Sequence, residues 1–263
     1  VIYYTQGYLT DAFICQPNNR GKQVTEHLKR VEGVPFIIPN KVTCEVIGTV
    51  IMRNSQFASF ANGQFSNTYY AVMGTLCLKD YELVEHRKLD FCAWDVVINN
   101  KCFTLSEKEK STLLKYWGFD DSGTVSGAFS AKQIKNLYIQ YNTSKHQQKS
   151  GHALCEDADL SGIVVTVEDR DKQANLGYNE DVCNFSALLK FQTNVIQVKV
   201  KRIKLRVGKH GNIVRYCFFD PIELDGYSIS HAIIKPFLDI QLGVGSEVII
   251  SKAGFIPVAV RSL

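Results

Sequence analysis

The segment His86-Arg87-Lys88-Leu89-Asp90-Phe91 sets a lysine two residues before an aspartate. It is one residue away from Lys-x-Asp-Gly, the arrangement in which a lysine amine attacks an α-phosphate and carries AMP. That chemistry needs an activated amine and cations that neutralise charge on the phosphates as it builds up. Lys88 is therefore either a nucleophile whose glycine has become Phe91, or part of an ordinary strand. A second chemically suggestive cluster is "GHALCEDAD", with His152, Cys155, Glu156, Asp157 and Asp159. It has metal-ligating residue types, but it reads as a polar loop leading into a strand, and no metal site is assigned. The third feature is a run of cations at Lys199, Lys201, Arg202, Lys204, Arg206, Lys209 and His210, with no acidic residue from Phe191 through Phe219. Such a run is either a solvated strand or a surface for a nucleic-acid backbone.

The elements that must position these groups fall into two textures. Up to about residue 192 the chain mixes helices and strands. "VIYYTQGYLTDAF" reads as a β-hairpin, and "GKQVTEHLKRVEGVP" as a short helix closed by Gly33 and Pro35. "TCEVIGTVIM" is a strand, "NSQFASFANGQ" a short helix and "LDFCAWDVVI" a buried strand, apolar on both sides. In "LSEKEKSTLLKYWGF", Ser106 is an N-cap with Glu109 three residues on, and Gly118 stops the helix. A second amphipathic helix follows in "SAKQIKNLYIQYN", then the strand "LSGIVVTVED", the short helix "RDKQANLG" and the strand "FSALLKFQ". From residue 193 onward short strands recur between glycine turns, as in a small β-barrel. Alternation slips once between Lys201 and Ile203, which points to a bulge or to the crossing between domains; before the slip Lys199 and Lys201 share a face, and after it Arg202, Lys204 and Arg206 take the opposite parity.

The composition is that of a globular chain: 263 residues, 45% hydrophobic and 21% charged, with a net charge of +4. This mild positive balance permits an anionic partner without requiring one. The eight cysteines form no C-x-x-C pair and mostly sit in apolar stretches, the pattern of reduced, buried thiols in the cytoplasm. No apolar run reaches the ~18–20 residues of a membrane span, and the N-terminus has no signal-peptide shape.

The order of elements, together with several colinear segments, resembles the NAD-dependent DNA ligases. "FFDPIELDGYSISHA" and "LGVGSEVIISKAGFIP" are similar to the OB-fold of that family. Upstream, "CEVIGTVIM", "FSNTYYAVMGTL", "LLKYWGF", "LSGIVVTV" and "LGYNEDVCNFSALLKFQ" follow in the family's order. The resemblance implies an α+β nucleotidyltransferase (adenylation-like) domain at residues 1–192, followed by a small β-barrel, the OB-fold, at 193–263. In that register "HRKLDFCAW" is a core strand, and the family's Lys-x-Asp-Gly lysine falls before Val1. The zinc module, helix-hairpin-helix repeats and BRCT domain of the family would fall after Leu263.

The resemblance also names the positions to check. The family's phosphate- and DNA-contacting cations fall on Cys15, Tyr69, Cys77, Thr166 and Asn184; its acidic positions fall on Thr49 and Ser161. Those that remain are Glu45, Lys190 at the family's Lys-Phe-Pro lysine, and Lys209 in place of an arginine. In the barrel, Ser251 and Lys252 take the place of two basic residues. The apolar and glycine positions are kept while the charges are lost, so the chain is expected not to adenylate itself. Lys190 is the only matched active-site lysine, and no catalytic residue is assigned. DNA contact is expected at Lys199, Lys201, Arg202, Lys204, Arg206, Lys209, His210 and Lys252. Two functions follow. In one, the chain is the second subunit of a two-gene phage ligase, in the host cytoplasm, with NAD bound by a partner that carries Lys-x-Asp-Gly and with nicked duplex DNA as substrate. In the other, it is a non-catalytic DNA- or protein-binding module derived from a ligase core.

Overall fold

The computed structural model describes residues 1–15, 21–60, 64–65, 67–101, 104–121, 125–144, 157–158, 160–179, 182–191, 195–207, 211–224, 227–235, 242–253 and 256–262. These form two compact units, Val1–Phe191 and Gln192–Leu263.

The N-terminal unit opens with the hairpin β1 (Ile2–Thr5) and β2 (Tyr8–Ala12). Its turn is made by Gln6 and Gly7, both at positive φ, the geometry that matches the twist of a tight hairpin. The helix expected next is a single turn, α1 (Thr25–Leu28). Val24 stands at its N-cap with no side chain able to accept a bond, so little holds a longer helix open from that end. Then come β3 (Cys44–Ile51), α2 (Asn54–Phe60), α3 (Thr68–Thr75), α4 (Tyr81–His86), β4 (Asp90–Ile98), α5 (Glu107–Tyr116) and β5 (Asp120–Asp121). The unit closes with α6 (Ala131–Ser144), β6 (Gly162–Thr166), α7 (Arg170–Leu176), β7 (Tyr178–Asn179), β8 (Val182–Cys183) and β9 (Ser186–Lys190).

Five strands form one sheet in the order β2-β1-β3-β4-β5; β6 pairs with β9, and β7 with β8. Tyr4, Val46, Met52, Leu89, Phe91, Trp117 and Phe119 belong to one buried cluster against this sheet. The capping box at α5 is present in full, with Ser106 accepting from Glu109 N–H while the Glu109 carboxylate takes the Ser106 N–H. Gly118, at φ +89°, ends the chain's helical course as expected. β4 departs from its expected character. It is not buried throughout, because Trp94 is 49% exposed, and not apolar throughout, because Asp90 and Asp95 carry charge into it.

The C-terminal unit contains β10 (Val195–Lys199), β11 (Arg202–Val207), β12 (Ile213–Leu224), β13 (Tyr227–Ile234), β14 (Glu247–Ala253) and β15 (Ile256–Ser262). They form one six-stranded sheet in the order β10-β14-β15-β13-β12-β11, parallel only between β13 and β15. A closed barrel was expected from the sequence; among the described residues no ladder joins β10 to β11. Those two edge strands are consecutive in the chain and separated only by Val200 and Lys201. The slip in alternation is this strand break, and it lies inside the C-terminal unit rather than at the crossing between units. Val198, Val200, Cys217, Phe219, Ala232, Val248 and Ile250 form its core. Among the described residues no helix is long and apolar enough to cross a membrane.

Candidate nucleic-acid interface

The break after β10 decides where the cations point. Val198 and Val200 are buried, and Ile203 packs against the same core. Between Val200 and Ile203 two residues instead of one face outward, so the alternation is reset. Lys199, Lys201, Arg202, Lys204 and Arg206 are consequently all exposed. Unbroken alternation would have split them between two faces; the irregularity puts Arg202, Lys204 and Arg206 on the side opposite Ile203, and beyond Ile203 the strand is exposed on both faces, with Leu205 and Val207 open as well.

These five cations are not equivalent. Lys201 Nζ lies 2.6 Å from Asp220 Oδ1, with both side chains mostly exposed, a pair worth no more than about 1 kcal/mol. Lys199 stands opposite Glu247 in the β10–β14 ladder. Among the described residues no carboxylate pairs with Arg202, Lys204 or Arg206. Instead they lie over aromatic rings of the neighbouring strand: Arg202 over Phe218 at 4.6 Å, Lys204 over Phe218 at 5.8 Å and Arg206 over Tyr216 at 5.4 Å. The register that pairs Arg202 with Phe218 and Lys204 with Tyr216 puts the facing side chains on one surface. Such contacts hold the charged groups in place without neutralising them. Lys209 and His210 lie outside the described residues, and Lys252 is placed in β14 by its backbone alone.

In the N-terminal unit the groups expected to do chemistry are dispersed. Lys88 is exposed in the turn before β4, at φ 44°, and the Asp90 of the near-motif is buried. Arg53 holds the Asp90 carboxylate with two bonds, Nε to Oδ2 at 3.0 Å and Nη2 to Oδ1 at 2.8 Å. Lys-Leu-Asp-Phe therefore spells a turn and a structural ion pair. Lys88 itself is outside the strand, contrary to its expected place in a core strand.

Lys190 is exposed at the end of β9, directly opposite Gly162. Along that ladder, Thr166 stands opposite Ser186, and their hydroxyls are 2.8 Å apart. A neutral hydroxyl pair thus occupies the position where the resemblance calls for a phosphate-binding lysine. Asn184 donates from Nδ2 to the Leu176 carbonyl at 3.0 Å, Thr49 is exposed on β3 opposite Cys92, and Tyr69 packs edge-on against Tyr70. Glu45 is half-buried on β3. None of Tyr69, Cys77, Thr166 and Asn184 can carry a positive charge to a phosphate, and Thr49 has no carboxylate to offer at its acidic position.

Of the metal-type cluster only Asp157 is described among the named ligand types. Its carboxylate accepts from the backbone N–H and hydroxyl of Ser55, and its carbonyl from Asn54 N–H at 2.8 Å, so it caps α2. His152, Cys155, Glu156 and Asp159 lie outside the described residues. Among the described residues no three His, Cys, Asp or Glu side chains gather as a metal site. Among the described residues the cysteines are more exposed than expected: Cys44 and Cys217 are buried, Cys15 and Cys77 open to solvent, and Cys92 and Cys183 between, while Cys102 and Cys155 lie outside the described residues. Burial pushes the Cys44 thiol up to about 12.

Sequence reasoning missed the aromatic members of the exposed surface, Tyr216, Phe218 and His231. Their spacing of two along "YCF" was a visible signal of a shared strand face.

Comparison with known proteins bears on both units. Residues 1–194 match the family described as the NAD-dependent DNA ligase adenylation domain. Over 261 residues the chain is 27% identical to a DNA ligase of Petrotoga mobilis, covering 95% of the chain and 38% of that protein. It is 27% identical over 266 residues to a DNA ligase of Aliarcobacter butzleri, covering 96% of the chain and 39% of the relative. The chain thus spans less than two thirds of the length of the curated relatives it matches.

Proposed function

The chain belongs to the NAD-dependent DNA ligase adenylation-domain family, and from that premise we propose that it acts in DNA nick sealing as a catalytically incomplete ligase subunit. It supplies a scaffold and a DNA-gripping surface, and leaves formation of the lysine–AMP bond to a partner carrying Lys-x-Asp-Gly. The observation that carries this reading is the Thr166–Ser186 hydroxyl pair, 2.8 Å apart, at the position of a phosphate-binding lysine. Adenylyl transfer places negative charge on the α-phosphate oxygens as the amine attacks and the nicotinamide mononucleotide leaves. A site without cations there leaves that charge unstabilised, and the loss of such a group typically costs a factor of about 10²–10³ in rate. The same neutrality at Tyr69, Cys77 and Asn184 compounds the deficit. Lys190 alone gives one phosphate contact. NAD use in this reading comes through the partner, and the site of action is the cytoplasm, that of the host if the source is a phage.

The C-terminal unit is read as an OB-fold. Its strand order supports this, with β10 and β11 as two halves of one bent first strand, one half at each edge of the sheet, and with the third and fifth strands, β13 and β15, running parallel. OB-folds hold nucleic acids on the face of their second and third strands, here β12 and β13. The cations of β11 border that face. Nicked duplex DNA is the proposed substrate, gripped through phosphate contacts from Lys199, Lys201, Arg202, Lys204 and Arg206, with Lys209, His210 and Lys252 as further contacts.

The test uses the purified chain with NAD labelled in its adenylate. The chain alone is expected to stay unlabelled, and to raise nick sealing when mixed with a ligase subunit that carries Lys-x-Asp-Gly. Covalent labelling of the chain alone overturns the incomplete-site reading. Salt-sensitive DNA binding without any effect on sealing points instead to a stand-alone binding module.

A further inference from the structure

β11 lies at the edge of its sheet. Among the described residues β12 alone pairs with it, from Arg202 opposite Phe218 to Val207 opposite Ile213. Half of its backbone N–H and C=O groups therefore point to the open side. Edges of this kind are ordinarily cut short, bulged or covered. β11 runs six residues, in unbroken register with β12.

The two faces of this edge differ. Arg202, Lys204 and Arg206 stand on one, and Ile203, Leu205 and Val207 on the other. Ile203 packs on the core, but Leu205 and Val207 are 64% and 74% exposed, and Ile213 beside Val207 is 69% exposed. The cations leave the backbone edge clear. Arg202 and Lys204 lie over the Phe218 ring and Arg206 over Tyr216, so all three lean inward towards β12. Phe218 is in turn stacked on His231 of β13, with centroids 5.6 Å apart. The rings are thus a base on which the cations rest, and the positive charge stays available to a partner.

This pattern selects what can add to the edge. A second copy pairing about a two-fold axis would set Arg202 against Arg206 and Lys204 against Lys204, and like charges directly opposite are destabilising. A nucleic-acid backbone answers the cations but has nothing for Leu205, Val207 or the outward carbonyls. An extended polypeptide answers all of them. Its backbone continues the ladder and its side chains alternate with the same period of two.

We propose that the open edge of β11 takes an added strand from a protein partner, an extended segment that alternates acidic and apolar residues. The acidic side chains meet Arg202, Lys204 and Arg206, and the apolar ones cover Leu205 and Val207. The site goes beyond nick sealing and does not depend on it. It shares its cations with the phosphate contacts proposed above, so the added strand and duplex DNA exclude one another.

The test is fluorescence anisotropy on the full chain at low salt, with a labelled peptide of about eight residues alternating glutamate and valine. That peptide is expected to bind, and a version with lysine for glutamate is not. Proline in place of the two central valines keeps the charge but breaks the ladder, and should weaken binding at least about tenfold. Leu205→Ser and Val207→Ser, both at exposed positions, should each weaken peptide binding about tenfold and leave duplex binding within about twofold. Amide exchange along β11 should slow when the peptide is present, and excess duplex should displace it. Equal binding of the proline peptide overturns the proposal, since charge alone would then suffice. Unchanged exchange along β11 overturns it too, as does no binding of the glutamate–valine peptide. A dimer of the chain that the two serine variants dissolve gives the edge to a second copy instead and also overturns it. Peptide binding by a chain that fails to bind duplex removes the DNA-gripping reading and leaves the strand site standing.

Discussion

The two units treat charge in opposite ways. In the N-terminal unit the positions where the resemblance to the ligases calls for cations hold Tyr69, Cys77, Thr166 and Asn184, while glycines that the packing demands are kept. In the C-terminal unit five cations are turned outward by one break in a strand. The difference shows which constraints a fold enforces. A side chain added at Gly48 would place its Cβ 2.3 Å from Phe91 Cζ and 2.6 Å from the Cys92 carbonyl oxygen. One at Gly162 would lie 2.3 Å from the Leu189 carbonyl oxygen. Backbone contacts of that kind cannot relax cheaply, so these glycines are required whether or not the chain does chemistry. Exposed charges contribute little to folding, so Thr49 beside Gly48, or Asn184, can stand where a charge is expected without harm to the structure.

The contrast can be broken most strongly at Gly48. Gly48→Val should destabilise the N-terminal unit by on the order of 3–5 kcal/mol, whereas Thr49→Lys at the adjacent exposed position should stay within about 0.5 kcal/mol, both read from urea unfolding. Comparable effects of the two would mean that the framework is not what the unit conserves. The next effect belongs to the other unit. The triple variant Arg202→Ala, Lys204→Ala, Arg206→Ala should reduce the slope of log affinity against log salt by about 2–3 on duplex DNA, with Lys190→Ala changing it by less than about 1. A slope unchanged in the triple variant would move the phosphate contacts elsewhere.

The smallest effect is a pH dependence. Burial favours the neutral Cys44 thiol, so its folded pKa, about 12, stands above an unfolded value near 8.5. The unfolded chain then loses its proton first, and stability is full below about pH 8.5 and declines as pH rises towards 12. From pH 7 to 9 the decline should stay under about 1 kcal/mol, and Cys44→Ala should flatten it relative to its own baseline. An unchanged pH profile in that variant would assign the alkaline loss to another group.

How far the sequence spoke depended on whether a signal was local. The capping box of Ser106 and Glu109 and the stop at Gly118 are written within one segment, and they were legible. Helices α3 and α4 were not, because "TYYAVMGT" carries aromatic and β-branched residues that mimic a strand. Their caps were nevertheless present in the sequence. Asn67 accepts from Tyr70 N–H at 2.9 Å, and Asp80 from Glu82 N–H at 3.0 Å. Conversely, "GKQVTEHLKRVEGVP" has helical spacing but no capping side chain, and it yields one turn. The cationic face was legible as a composition but not as a surface. Placing Lys199 and Arg202 on one side required knowing that two consecutive residues turn outward after Val200. The stack of Phe218 on His231 depends on the β12–β13 register, and the bulge between Phe218 and Ile222 shifts that register in a way no single strand records.

The link through Val200 and Lys201 also has a consequence in time. β11 pairs with the strand that follows it in the chain, but β10, made just before, pairs with β14, Val195 meeting Ser251. During synthesis the first strand of the unit therefore waits, unpaired, until nearly the last has left the ribosome. Its backbone N–H and C=O groups have no ladder in the interval, and loop closure over that length is slow. The seam beside Val200 should be the last part of the unit to close and the first to open, which amide hydrogen exchange along β10 can follow.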